Sequence, residues 1–194
     1  MIGCDYTMNS TNKEYKLYIV ISQTGTMFSK IVRLFTRDPY NHSSISLNED
    51  LTDMYSFGRK YARFPFPGGF IQECIGKKVF ATHPNTTMIV YELTVTKEQY
   101  DKVIQIVREM RKQKNMYAYN LLGVIFVIFH KYHPSHNKYY CSEFVKYILT
   151  ESGIATAEEL PVICKPMDFL KVNGNKIYEG RMKNYNTYNG ILSV

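Results

Sequence analysis

The stretch YYCSEFVKYILTESG, residues 139–153, is the segment around which the rest of the chain is arranged. Its apolar residues recur at helical spacing and predict one face that packs on a core: Phe144, Val145, Ile148 and Leu149. Gly153 is placed to end this helix. Cys141 falls in the first turn, where free backbone N–H groups and the positive end of the helix dipole stabilise a thiolate over a thiol. The pattern therefore predicts an amphipathic helix that begins at a chemically interesting cysteine.

Extended segments precede this helix. Runs rich in β-branched and aromatic residues, or alternating in polarity, predict strands at KLYIVISQT (16–24), HSSISL (42–47), MYSFGR (54–59) and TMIVYELTV (87–95), and FPFPGGFIQE (64–73) predicts a loop leading into a further extended piece. In HSSISL, Ile45 and Leu47 alternate with Ser44 and Ser46, which gives one apolar and one polar face. The turn that follows makes MYSFGR the returning strand of a hairpin.

Helical spacing predicts three further helices and a short one. They are TGTMFSKIVRLFT (24–36), a helix from 97 to 113 behind a capping box of Thr96 and Gln99, an apolar helix over about 118–130, and a short helix begun by Pro166. The tail from 173 carries no clear pattern. We therefore expect a single α+β domain spanning 1–194, with its core at about 16–170.

Composition narrows the class of protein. The chain has 194 residues, of which 45% are hydrophobic, and a net charge of +7. Its Lys and Arg are scattered, and the densest cluster, RKQK at 111–114, is typical of a solvated helix end. No RNA-recognition or zinc-finger spacing accompanies it, so we expect no specific nucleic-acid partner.

The four cysteines lie far apart and form no C-x-x-C pair. The first residues contain no signal-peptide pattern, which predicts a cytoplasmic protein with reduced thiols. The longest apolar run, LLGVIFVIF at 121–129, is too short to span a bilayer and is better explained as a core helix than as a membrane-surface one. A metal site would have to come from His130, His133 and His136, whose spacing is irregular, and we expect none.

His42, at the start of the HSSISL strand, is the imidazole that we consider as a partner for Cys141. An imidazole near the thiol would lower the thiol pKa further and serve as a general base. Each residue alone is more often structural: a cysteine at a helix start packs as a small apolar residue, and a histidine in a strand forms hydrogen bonds. The residue pattern by itself leaves both interpretations open.

Four segments together resemble one protein family. TGTMFSKIVRLFTRDPYNHSSISL (24–47) resembles the opening of the circularly permuted papain-like families of the NlpC peptidase superfamily, which include the YiiX-type amidases and the lecithin:retinol acyltransferase group. YYCSEFVKYIL (139–149) resembles their nucleophile helix, YAYNLLGVI (117–125) is similar to the helix before it, and KPMDF (165–169) to the segment after it. The resemblance covers about 16–170, with the histidine ahead of the cysteine as the permutation requires.

This resemblance implies a small antiparallel sheet packed against helices, in a permuted papain-like NlpC-type fold with Cys141 facing His42. It also implies a polar residue on the strand beside the histidine strand that orients the imidazole. Ser56 occupies that position in MYSFGR, and Glu73, at the end of GGFIQE, is an acidic alternative. A carboxylate would hold the imidazole as a better base than a hydroxyl would.

The resemblance implies a cysteine hydrolase or acyltransferase that acts on an amide or ester without a metal or an organic cofactor. Its substrates would be small acyl-amino acids, peptide fragments or lipid esters. Tyr139 and Tyr140 directly precede the cysteine, where they either line the substrate pocket or, the commoner role, pack as aromatic residues. Arg59 either binds a substrate carboxylate or is a surface charge, so these three are the candidates for substrate binding. The alternative is a catalytically weak or inactive module that binds a small ligand on the same fold.

Overall fold

The computed structural model describes residues 14–24, 38–59, 68–77, 79–128, 131, 135 and 137–188. These residues form eight strands, which we number in chain order: β1 (Tyr15–Gln23), β2 (His42–Ser46), β3 (Met54–Arg59), β4 (Gly68–Glu73), β5 (Thr87–Val95), β6 (Ala118–Tyr119), β7 (Lys138–Tyr139) and β8 (Asn175–Arg181). The α-helices are α1 (Val79–Thr82), α2 (Lys97–Lys112), α3 (Leu121–Ile128), α4 (Cys141–Glu151) and α5 (Tyr185–Tyr188), with 3₁₀ turns at Pro166–Lys171 and Met182–Asn184.

Six of these strands form one antiparallel sheet in the order β4-β3-β2-β1-β5-β8. Within it, β1 is central, and its Ile19 lies opposite Ile45 of β2 and Tyr91 of β5. The expected hairpin is present, since β2 pairs with β3 through Ile45 and Tyr55. The molecule is therefore a mixed α+β protein, as the sequence predicted.

Helices α2 and α4 cover one face of the sheet and bury its main core. Phe144 of α4 is fully buried, and its ring centroid lies 5.2 Å from that of Phe57 and 5.7 Å from that of Phe70. These contacts join the helix directly to β3 and β4. Burying each large aromatic side chain stabilises the fold by about 1.5–3 kcal/mol. The apolar face predicted from the spacing in α4 is thus the face that packs.

A second, smaller core lies on the opposite face. There Tyr18, Val20, Met54, Met88 and Val90 pack with Tyr185 and Met182 from the end of the described chain. The Tyr185 hydroxyl donates a hydrogen bond of 2.9 Å to the Glu49 carbonyl. Both faces of the sheet are therefore covered, so polar side chains beneath either layer are shielded from water.

Local sequence signals set several element ends as expected. Thr96 and Gln99 form the reciprocal capping box at the start of α2, and Gly153 adopts φ +67 just beyond α4. The cluster at 111–114 lies on the exposed end of α2, in agreement with the interpretation as a solvated helix end.

One predicted element bound was wrong, and two elements were not predicted. The apolar helix begins at Leu121 rather than 118, because residues 118 and 119 pair in parallel with β7 and Asn120 Oδ1 accepts a 2.8 Å hydrogen bond from Gly123 N–H. The short α1, which was not predicted, ends at Thr82, directly before a turn closed by a 3.0 Å hydrogen bond from Thr86 N–H to the His83 carbonyl. The unassigned tail contains β8, an edge strand whose mostly exposed side chains give no apolar alternation.

Residues 25–36 of the predicted first helix lie outside the described residues, as do Cys4 and the loop at 64–67. Among the residues that the structure describes, no helix is both long and apolar enough to cross a membrane.

Candidate active site

The fold brings the first residue of β2 beside the first residue of α4. Helix α4 packs across β2 and β3, so its N-terminus lies at the end of β2 where His42 begins the strand. The Cys141 Sγ lies 3.8 Å from the carbonyl oxygen of Asn41, the residue before His42, and the thiol and the imidazole are close enough to shift each other's pKa. Cys141 is 6% exposed, and the His42 side chain is 18% exposed. The two residues therefore form a thiol–imidazole pair at the rim of the sheet.

Glu73 completes this arrangement from β4. Its carboxylate accepts a hydrogen bond from His42 Nε2–H, with Oε1 at 3.1 Å and Oε2 at 3.2 Å. An ionised carboxylate only accepts hydrogen bonds, so the shared proton lies on Nε2 and the other ring nitrogen is left for the thiol. Of the two candidates for orienting the imidazole, Glu73 is the one that contacts it.

Two serines surround the Glu73 carboxylate. Ser44 Oγ donates to Glu73 Oε2 at 2.5 Å, and because Ser44 lies two residues after His42, both side chains lie on the same face of β2. Ser56 is fully buried close to the carboxylate, but its hydroxyl has no hydrogen-bond partner among the described residues. Ser56 thus lies near the imidazole-orienting group rather than at the imidazole itself.

The charges of the three groups depend on one another. Burial disfavours the imidazolium, but the Glu73 carboxylate and the Cys141 thiolate raise the pKa of His42 well above its ordinary value. Burial likewise acts to raise the pKa of Glu73, but the His42 charge and the hydrogen bonds from His42 and Ser44 lower it overall. Both shifts favour an ionised carboxylate beside a protonated imidazole.

The same balance acts on the thiol. Burial would raise the pKa of Cys141, but the His42 imidazolium and the backbone N–H groups of Ser43 and Ser142 lower it below its ordinary value. By contrast, burial raises the pKa of the Cys164 thiol to about 12. The surroundings therefore favour a thiolate at Cys141 and oppose one at Cys164.

Several contacts fix the start of α4 in space. Glu143 accepts the Tyr140 backbone N–H at 3.3 Å, and its carboxylate lies 3.5 Å from Asn120 Nδ2, which joins α4 to the start of α3. Ser142 Oγ donates to the Cys164 carbonyl at 2.7 Å. Two other segments, at Asn120 and Cys164, therefore hold the turn that carries the thiol.

The residues expected to bind substrate are placed differently from one another. Tyr139 packs in the aromatic cluster, with its ring centroid 5.1 Å from Phe57 and 5.5 Å from Tyr147, so its described contacts are those of a core residue. Tyr140 is buried immediately before the thiol. Arg59 is half-buried at the end of β3. The structure thus gives Tyr139 a packing role, because its ring is enclosed by other aromatic rings.

Tyr119 and Ser44 were missed by the sequence reasoning. Tyr119 lies within electrostatic range of Arg59, Tyr140 and the Cys141 thiolate. Nothing in the sequence around residue 119 indicates this position, because it depends on β6 pairing with β7. Ser44 carried a usable signal, since the polar face of β2 includes both His42 and Ser44.

The described residues contain no group of three metal-ligating side chains that could hold an ion, and His130, His133 and His136 lie outside them. His83 binds locally, with Nδ1 3.0 Å from the Val79 carbonyl oxygen. No protein-family model, curated protein or solved structure matches the chain.

Proposed function

We propose that this protein is a cysteine hydrolase or acyltransferase that cleaves an amide or ester through Cys141 and His42, on a circularly permuted papain-like fold of the NlpC type. The proposal rests above all on one observation: His42, which shares the start of α4 with the Cys141 thiol, has its Nε2–H bound by a buried carboxylate 3.1 Å away. This is the geometry of a nucleophile, a general base and an orienting acid.

In the proposed reaction, the Cys141 thiolate attacks the carbonyl carbon, and the C=O electron pair moves onto oxygen. The backbone N–H of Cys141, at the positive end of α4, stabilises this oxyanion. As the bond to the leaving group breaks, the His42 imidazolium donates its proton to the leaving nitrogen or oxygen. The products of this step are a free amine or alcohol and an acyl-thioester on Cys141.

The second half of the reaction restores the enzyme. The now neutral His42 removes a proton from water, or from an acceptor alcohol or amine, which attacks the thioester carbonyl. Collapse of the second tetrahedral intermediate expels the thiolate and leaves His42 protonated. Water gives hydrolysis, and any other acceptor gives acyl transfer, so the accessibility of the site to water decides between the two outcomes.

Glu73 bears on the rival hypothesis of an inactive binding module. That hypothesis drew support from the serine at the position where a stronger orienting group was expected. With Glu73 at the imidazole and Ser44 bound to its other oxygen, the site has the charge arrangement that a working base requires. The chemistry also needs a reduced thiol, so the proposal places the protein in a reducing compartment such as the cytoplasm.

The test is the alkylation rate of each cysteine by iodoacetamide between pH 4 and 9, measured by peptide mapping in the wild type and in His42→Ala. We expect Cys141 of the wild type to react at pH 5–6, while Cys74 and Cys164 of the same molecules, serving as internal controls, do not. In His42→Ala this low-pH reactivity should disappear, because burial then raises the thiol pKa with only the backbone N–H groups of Ser43 and Ser142 opposing it.

A wild-type Cys141 that titrates as an ordinary buried thiol, unchanged by His42→Ala, would refute the nucleophile–base pair and leave the binding module. If the low-pH reactivity is present, amides and esters of small acids are then screened for an acyl adduct on Cys141 by intact mass, with Cys141→Ser as the control.

A further inference from the structure

Arg59 is half-buried at the end of β3, close to the proposed nucleophile. It lies opposite Gly68 of β4 in the sheet register. The preceding residue, Gly58, is next to the imidazole: a Cβ atom there would lie 3.8 Å from His42 Cε1. The end of β3 therefore lies beside the imidazole, and the alternation of side chains along the strand puts Arg59 on the other face, where Phe57 packs against α4.

Tyr119 links Arg59 to the thiol from the other side. It lies so close to Gly68 that a Cβ atom on Gly68 would meet the Tyr119 Cβ at 2.6 Å, which places Tyr119 against the strand position opposite Arg59. The phenol is within electrostatic range of both the Arg59 guanidinium and the Cys141 thiolate. Tyr119 is thus a common neighbour of Arg59 and Cys141.

The Arg59 charge has no counter-ion among the described residues. The nearby acids are engaged elsewhere: Glu73 binds His42 and Ser44, and Glu143 caps α4. Burial raises the pKa of Tyr119 well above its usual value, so its phenol stays neutral and does not balance the guanidinium. A half-buried cation without a partner is costly, and the cost is recovered when a ligand supplies the anion.

We propose that Arg59 binds an anionic group of the substrate, a carboxylate or phosphate carried within a few bonds of the scissile carbonyl. The inference rests on the proposed function and narrows it: the substrates are acidic amides or esters, such as acyl-amino acids, rather than neutral ones. The planar guanidinium fork matches either oxyanion in two parallel hydrogen bonds. The overall charge of +7 also favours the approach of an anion.

The experiment compares two alkylating reagents of the same size. Iodoacetate carries a carboxylate next to the reacting carbon, and iodoacetamide is its neutral counterpart. The ratio of their rate constants at Cys141 is measured at pH 7 and pH 9 in the wild type, Arg59→Met, Arg59→Lys and, as the matched control, Arg108→Met. Arg108 is exposed on α2, so Arg108→Met removes one positive charge outside the proposed site.

We expect the iodoacetate-to-iodoacetamide ratio to fall about tenfold in Arg59→Met, because the guanidinium attracts only the charged reagent. Arg59→Lys should fall less, and Arg108→Met should keep the wild-type ratio. An unchanged ratio in Arg59→Met would overturn the proposal. Because a ratio is measured, a Cys141 of ordinary reactivity would refute the proposed catalytic pair without affecting this test.

A second measurement uses only the wild-type chain, in case Arg59→Met fails to fold. Iodoacetamide alkylation of Cys141 is followed with added N-acetylglycine, acetamidomethylphosphonate or neutral N-acetylglycinamide at constant ionic strength. Protection by either acid, but not by the amide, supports the proposal, and the stronger of the two acids identifies the preferred anion. Equal protection by all three compounds, or protection by none, would contradict it.

Discussion

The substitution Glu73→Gln tests the electrostatic reasoning most directly. Glutamine keeps the size of the side chain and an oxygen that accepts His42 Nε2–H, but it removes the negative charge now 3.1 Å from the imidazole. The imidazolium then loses the partner that raises its pKa, and the thiolate that depends on the imidazolium becomes rarer. We therefore expect Cys141 to lose reactivity on the acidic side of neutrality.

The magnitude follows from the contact. Hydrogen bonds to charged groups contribute about 1.5–3 kcal/mol, which corresponds to a decrease of about 10- to 100-fold in the ion-paired form. The thiolate–imidazolium pair exists between the lowered pKa of Cys141 and the raised pKa of His42. Removing the carboxylate lowers the His42 pKa and thereby raises the Cys141 pKa. Without the carboxylate, this window narrows from both sides.

The assay is iodoacetamide alkylation of Cys141 at pH 6, with circular dichroism to confirm folding. Glu92→Gln is the matched control, because Glu92 is also a shielded carboxylate of the sheet, paired with Lys16 at 3.1 Å, but away from the site. We expect the control to react at the wild-type rate. A folded Glu73→Gln that also reacts at the wild-type rate at pH 6 would refute the role assigned to the carboxylate.

Three further predictions follow from other contacts. Ser44→Ala removes a donor that lowers the Glu73 pKa, so Glu73 should protonate at higher pH. The fall of the Cys141 alkylation rate on acidification should then begin at higher pH, with no change above pH 7, and a fall that begins at the wild-type pH would contradict this. Gly68→Ala places a Cβ 2.6 Å from the Tyr119 Cβ and should lower the free energy of unfolding in urea by about 1–3 kcal/mol, whereas unchanged stability would show that Tyr119 moves freely. Phe144→Ala empties a fully buried ring site and should cost about 3–5 kcal/mol in the same assay, and a loss below about 1 kcal/mol would argue against the packing of α4 on β3 and β4.

Much of the fold could be predicted because its signals are local. β5 and α2 occur within a residue of the expected bounds, since alternation, helical spacing and a capping box are properties of a few adjacent residues. β8 could not be predicted, because an exposed edge strand gains its stability from pairing with β5 and needs no apolar pattern of its own.

The residue that orients the imidazole likewise could be narrowed from the sequence but chosen only from the structure. From the sequence, Ser56 and Glu73 were both open as the group that orients the imidazole. β3 lies next to the histidine strand, but the side chain that reaches the imidazole comes from β4, one strand further away. The long Glu73 side chain reaches the imidazole from β4, whereas the short Ser56 side chain on β3 does not contact it. Only the order and register of the strands reveal this difference.

The sequence by itself determined the strands β1 to β5 and the helices α2 and α4, and it singled out Cys141 and His42, because a cysteine at a helix start and a histidine on a polar strand face are visible within short segments. The tertiary structure alone decided that Glu73 binds His42, that Tyr119 borders the thiol and that Arg59 has no described counter-ion. Those facts depend on charges and distances between residues far apart in the chain, and electrostatic interactions follow distance in space rather than separation in sequence.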